Sequence, residues 1–293
     1  MQLLALGIGQ STFRRWTQTD YLFRELPGVY ALGHPGRTEE SDLFAALLYA
    51  GPHAGLDRLT AGLWRGLVKW RTSEAIHVAT PRRCRSLPAD HPSNGLGRAI
   101  SVRGERTFRR WPYHGIPTIP TPQIALDIAA TGDLQLVRYV LAQLDYMRRL
   151  NERALRAVSG RGIPGSAILN EALGQPQPLF ARARSPGEIK LIRAAEITGI
   201  PLPEVNVKVA GITADAFWRD QRVVVEVDGE RNHGTWRQRK LNVVDEVKLR
   251  DVGCLVIRYF DEFLDDPWAV HADLMPQLNE RRGRAAGLDL GQG

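Results

Sequence analysis

The chain has 293 residues, 43% of them hydrophobic and 24% charged, with a formal net charge of +7. That length allows two or three separately packed cores, and the composition excludes disordered and fibrous classes. No apolar run reaches membrane-span length, the opening MQLLALGIGQ has no basic leader or cleavage site, and Cys84 and Cys254 are too isolated for a thiolate zinc site, so a cytoplasmic protein without membrane contact is expected.

The charge is uneven. Residues 1–175 carry 22 basic and 14 acidic side chains, whereas residues 176–293 carry 17 and 18. The footprint for a polyanion therefore lies in the front of the chain. Of the 39 basic residues 34 are Arg; phosphate recognition gives that bias, and so does a G- and C-rich genome.

In chain order, Gln2–Leu6 and Thr12–Thr19 predict two short helices around Gly7 and Gly9, with Ser11 as N-cap of the second. LFRELPGVYALG predicts two strands about Pro27-Gly28. Helix, turn, helix and wing, with Arg14 and Arg15 on the second helix, suit a major-groove reader; a small helical subdomain with solvated arginines is the other reading. Thr38–Tyr49 predicts an amphipathic helix with Leu43, Phe44, Leu47 and Leu48 on one side, Asp57–Leu67 another, and Ala75–Thr80 a strand. From Pro81 to Arg110 the sequence is loop-rich and holds eight arginines, among them Arg82, Arg83, Arg109 and Arg110, with Phe108 interleaved and Trp111 following. Basic and aromatic side chains together suit nucleic-acid backbone contact; a solvated charged face is the alternative. Thr121-Pro122 predicts a capped helix start, Asp133–Val158 one long helix, and Pro-rich 174–187 a linker. The expected division is 1–75, 76–175 and 176–293.

Ser185-Pro186-Gly187-Glu188 has the form of a capping box and predicts a helix to about Gly199. Two Val-rich strands follow, joined by the turn Arg219-Asp220-Gln221, then a helix over Arg239–Val252, a strand over Cys254–Phe260, a helix over Trp268–Asn279 and a tail of disordered composition. Glu226 and Asp228, two apart on a strand, project from one face, and the hairpin brings Asp215 toward them. Three carboxylates among apolar strands are costly to bury unless a cation offsets them, and they suit Mg²⁺ or Mn²⁺. His233 lies near enough in sequence for proton transfer. An acidic patch at a sheet edge and a solvated loop histidine are the plainer readings of the same spacing.

Residues 185–260, in SPGE at the helix start, LPEVNVKVAGITADAFW, VVVEVDGERNH and LRDVGCLVIRYF, resemble the very-short-patch-repair-like branch of the PD-(D/E)XK nuclease superfamily. QLLALGIGQSTFRRW, PGVYALGHPGRTEE and GIPTIPTPQIALDIAA are similar to the winged-helix and middle regions of AbiEi-type proteins, the antitoxin side of type IV toxin–antitoxin systems. The resemblance implies an α/β (α+β overall) chain: a winged-helix-like front, a helical middle, and a restriction-endonuclease-like three-layer α/β domain behind. It implies Glu188 as the helix carboxylate, Asp215 and Glu226 as strand carboxylates, Asp228 where the superfamily has Lys, and His233 as catalytic histidine. Asp215, Glu226 and Asp228 are the expected metal ligands, and Arg14, Arg15, Arg82, Arg83, Arg109 and Arg110 the expected DNA contacts. The expected activity is metal-dependent DNA cleavage. The alternatives are an antitoxin-type transcriptional regulator with a cognate toxin or other protein partner, and an RNA-acting nuclease.

Overall fold

The computed structural model describes residues 2–34, 38–69, 75–106, 108–228 and 236–289, with backbone only for 2, 4, 236–242 and 283–289. The protein is α+β and divides into two compact units: residues 1–137 with 151–174, and residues 138–150 with 175–293.

The first unit begins with α1 (Gln2–Ala5) and α2 (Gln10–Gln18), followed by the antiparallel pair β1 (Leu22–Leu26) and β2 (Val29–Leu32). Ser11 is not the cap of α2: Gly9 is the N-cap, and no side chain closes that end. α3 (Glu39–Ala50) starts from a reciprocal Thr38–Ser41 capping box. Its buried stripe is Leu43, Ala46, Leu47 and Ala50, while Phe44 and Leu48 stay half exposed, so small residues rather than those two large ones complete the core face. β3 (Gly55–Leu56), α4 (Arg58–Trp64), β4 (Ala75–Thr80), β5 (Ala99–Gly104), β6 (Trp111–Tyr113) and β7 (Ile116–Thr118) follow, and the five strands lie in the order β5-β4-β3-β7-β6. In α5 (Thr121–Ala129) Pro120, not Thr121, occupies the cap position, and the Thr121 hydroxyl accepts from Arg65 Nη1.

The single long helix expected over 133–158 is two: α6 (Leu134–Tyr146) and α7 (Glu152–Val158). Arg148 takes a left-handed φ of 55°, Arg149 N–H turns back to Leu144 O, and the Asn151 side chain caps the new helix at Ala154 N–H. α8 (Ser166–Gly174) completes the unit.

Asp57, the N-cap of α4, is 1% exposed and takes a hydrogen bond from Arg58 N–H and an ion pair from Arg103 (2.7 Å). Burial pushes its carboxyl up to about 7, with Asp127 pushing the same way and Arg103 pulling down. Its proton is thus held more tightly in the folded chain than in the unfolded one. The resulting stability is complete below the unfolded value near ~4 and is lost as pH rises through about 7. Asp57→Asn keeps a capping oxygen and removes the titration. It is expected to flatten the fall of melting temperature between pH 5 and pH 8, worth about 2 kcal/mol in the wild type; an unchanged slope in a pH series of thermal melts would refute this.

In the second unit a four-stranded sheet carries helices on both faces. After a 3-10 turn at Pro178–Arg182 come α9 (Pro186–Thr198), β8 (Glu204–Val209), β9 (Ile212–Trp218), β10 (Val223–Asp228), α10 (Trp236–Asp251), β11 (Leu255–Phe260) and α11 (Pro267–Asp289). The order is β11-β10-β9-β8, with β10 and β11 parallel and the rest antiparallel. Ala216, Trp218, Val223, Val225 and Tyr259 pack one face against Leu191 and Ala195 of α9 and Val270, Leu274 and Leu278 of α11. Phe217 and Val224 pack the other against Leu249 of α10. Period-two burial on both faces of β9 and β10 makes three layers.

The stretch 174–187 is not a free linker: Phe180 and Ala183 are buried. The tail expected to be disordered is helical in α11 as far as Asp289. Among the described residues no helix is long and apolar enough to cross a membrane.

Candidate functional site

The register of the second sheet sets four polar side chains in one row. Val225 pairs with Ala216, so Glu226 falls opposite Asp215. Val205 and Val207 pair with Ala216 and Ala214, so Asn206 falls opposite Asp215 from the other side. Glu226 is in register with Arg258 of the parallel strand β11. The row Asn206, Asp215, Glu226, Arg258 thus crosses all four strands. Val225 and Val227, one residue out of phase with Glu226, face the apolar side under α9 and α11, which leaves Glu226 and Arg258 on the α10 side, whereas the Asn206 amide reaches Glu188 at the start of α9.

Main-chain bonds fix the two central carboxylates. Asp215 Oδ2 accepts from Val227 N–H (2.8 Å), and Asp215 N–H in turn donates to Glu226. Burial pushes Glu226 up to about 7; Asp215 and Asp228 add to the rise and Arg258 opposes it. Asp215 is raised too, chiefly by burial, against the pull of the Val227 bond, Arg184 and Arg258. Glu226 Oε1 is buried and, among the described residues, has no hydrogen-bond partner. Oxygens of Glu25, Asp57 and Asp127 share that state, so what sets Glu226 apart is the second buried carboxylate beside it, Asp215.

Glu188 lies at the start of α9 and is 5% exposed. Ser185 caps the helix by accepting from Glu188 N–H (3.2 Å), while the Glu188 carboxylate accepts from Arg184 N–H (2.8 Å) and from the Asn206 amide. Burial raises its pKa, and Asp215 adds to the rise. Asn206 holds a left-handed φ of 51° within β8. The helix comes this close because residue 187 is Gly: a Cβ there would meet Val227 Cγ1 at 2.5 Å. Asp228 faces the Arg258 guanidinium (3.6 Å), which also reaches Glu246 of α10 (3.6 Å).

Among the described residues no group of three or more His, Cys, Asp or Glu side chains is arranged to hold a metal ion. Asp215 and Glu226 form a pair, with Asp228 drawn toward Arg258 and Glu188 toward Asn206. One or two carboxylates with water in the remaining positions is an ordinary Mg²⁺ donor set, and the partnerless Glu226 oxygen fits it. His233 lies outside the described residues.

In the first unit Arg14 and Arg15 are exposed on α2, and Arg82, Arg83 and Arg109 are exposed on loops. Arg110 is half buried and donates to Ala54 O (3.0 Å) and Pro52 O (3.2 Å). The residues sequence reasoning missed are Asn206, Arg184 and Arg258. Arg258 did leave a signal, as a lone charge within the apolar strand sequence LVIRYF.

No family model matches the chain, and no curated protein matches it. A search of solved structures matches the RV2827C protein from Mycobacterium tuberculosis at 17% identity, covering 62% of this chain and 71% of that one, with a TM-score of 0.37. A likeness of that size carries no argument about fold or function.

Proposed function

We propose that this chain is a cytoplasmic, metal-dependent DNA endonuclease whose second unit hydrolyses phosphodiester bonds and whose first unit holds the DNA. The observation that carries the reading is the pair Asp215 and Glu226, joined by main-chain bonds, both with pKa raised by burial, and with one buried Glu226 oxygen that has no partner among the described residues. These two residues would hold Mg²⁺ or Mn²⁺, with Asp228 beside them; the ion would polarise the scissile phosphate and acidify a bound water.

The chain's own groups supply the positioning. Val227 N–H fixes one oxygen of Asp215, and the Asn206 amide and Arg184 N–H fix Glu188 behind it. Arg258 supplies the cation absent from position 228, where Asp replaces the superfamily's Lys, and it moderates the charge on Asp215 and Glu226. His233 would carry the proton. Most of the rate would come from this fixed electrostatic frame.

The test is incubation of supercoiled plasmid with the protein and Mg²⁺ or Mn²⁺, against the same mixture with chelator. Metal-dependent nicking supports the proposal. Duplex binding without nicking would replace it with a DNA-binding regulator of the antitoxin type, acting with a toxin or other protein partner, and cleavage of RNA alone would move the substrate. Arg258→Met is expected to slow nicking at least tenfold and lower the melting temperature, with Arg258→Lys recovering part of the rate because it keeps the charge but loses the fork. Equal rates for all three would remove Arg258 from the site.

A further inference from the structure

We propose that a cleft at one end of the five-stranded sheet of the first unit binds a single nucleotide, its base against Phe108 and its phosphate on Arg106 and Arg109. This deepens the nucleic-acid reading of that unit and is independent of the carboxylate chemistry of the other.

Topology builds the cleft. β4 and β5 are parallel and in register from Ala75 and Ala99 to Thr80 and Gly104, so the loops leaving them emerge side by side. Gly55 pairs antiparallel with Ala79, which brings the residues entering β3 to the same end. Three connections therefore meet where parallel strands finish, a common place for ligands in α/β sheets. They line an open cleft of about 540 Å³, bordered by His53, Pro81, Arg106, Phe108, Arg109 and Arg110. That volume lies within the range of small-ligand sites and takes a base with its phosphates.

The chemistry of the lining is one-sided. Among the described residues it contains three guanidinium groups, an imidazole and a phenyl ring, and no carboxylate. Other arginines of this stretch are already engaged: Arg98 with Glu39 (2.8 Å), Arg103 with Asp57 and Asp127. Arg106 and Arg109 are exposed and, among the described residues, meet no acidic side chain. Arg110 is anchored on two carbonyls of the loop entering β3, which gives the site a fixed wall. Phe108 is seated just as closely: a Cβ at Gly55 would stand 3.4 Å from its ring. An acidic peptide would use the arginines and leave the ring idle, whereas a nucleotide uses both, stacking on the aromatic face and pairing its phosphate with Arg.

The experiment uses the full chain in chelator, so that no strand is cut. Anisotropy is read with a labelled oligo-dT single strand and with a labelled duplex of equal length, and dTMP is the competitor. Phe108→Leu keeps the packing and removes the aromatic face; it is expected to weaken single-strand binding about fivefold or more and to leave duplex binding within about twofold. The double change Arg106→Gln with Arg109→Gln is expected to weaken single-strand binding at least tenfold and to flatten its salt dependence. Displacement of the oligonucleotide by dTMP at similar affinity identifies a free nucleotide as the occupant; displacement only by longer strands identifies a polynucleotide. Equal losses for single strand and duplex, or no loss in either variant, overturn the cleft and leave the wider DNA reading standing. Absence of any nucleic-acid binding by the wild type overturns both.

Discussion

Glu226→Gln is expected to abolish metal-dependent nicking while the protein melts at least as high as the wild type. The two halves of that result have one cause. Glu226 Oε1 is buried without a donor among the described residues, and the carboxyl is pushed up to about 7 by burial and by Asp215. Its negative charge therefore costs the folded chain stability and is present for another reason, which the proposed ion supplies. The amide retains an oxygen to accept from Asp215 N–H and has no charge to desolvate, so folding is spared. Without that charge the site loses half of its central donor pair, and the nicking rate is expected to drop on the order of 10²–10³-fold, the size of effect seen when one preorganised electrostatic group is removed. Plasmid nicking and thermal melting on the same preparation decide it. Undiminished nicking would end the metal assignment, and a large loss of stability would mark Glu226 as a structural group.

Arg138→Met is expected to destabilise the second unit by about 3 kcal/mol, near the low end for breaking an enclosed ion pair because its partner is partly solvated. Arg138 is 6% exposed. Its guanidinium meets both Glu196 oxygens (3.0 and 2.8 Å), donates to Gln175 O (2.7 Å) and lies over the Phe180 ring (4.9 Å). Gln177 donates to the same Glu196 carboxylate (2.6 Å). Removing the cation strands that carboxylate and frees the chain that leads into Ser185 and Glu188. Arg138→Met combined with Glu196→Leu is expected to recover most of the loss, since two apolar groups leave no orphan charge. Urea titration of the single and double variants measures this; a loss under about 1 kcal/mol for the single change would show that the pair is no brace.

Legibility followed physical range. Ser185 capping α9, Gly199 ending it in a left-handed turn, and the Val-rich hairpin about residues 219–222 are set by neighbours in sequence, and each was readable there. The parity that puts Glu226 and Asp228 on one face was readable for the same reason. β5 and β8 were not. Both are edge strands, which need one hydrogen-bonded neighbour and tolerate Arg103, Asn206 and Lys208 in place of an apolar run. β3, β6 and β7, of two or three residues, are too short for any period to show. The break at 147–151 depends on a single side-chain cap at Asn151 inside an otherwise helical pattern. Within the site, Asp215 and Glu226 were nominated by charge among valines, but Asn206 and Arg258 join them only through strand register, which one chain segment does not encode by itself.

The passage of α6 from one unit to the other bears on how the protein tolerates being cut. Residues 138–150 belong with 175–293, and they bring Arg138 and the fully buried Tyr139, whose phenol lies near enough to Glu188 to feel its charge. A recombinant fragment opening at residue 176 would carry every candidate carboxylate yet lack the arginine clasping Glu196 and the ring behind Glu188. Such a fragment should express as insoluble or loosely folded material, and one opening ahead of Leu134 would restore both groups but carry α7 and α8 without the rest of the first unit, so the full chain is the piece to purify.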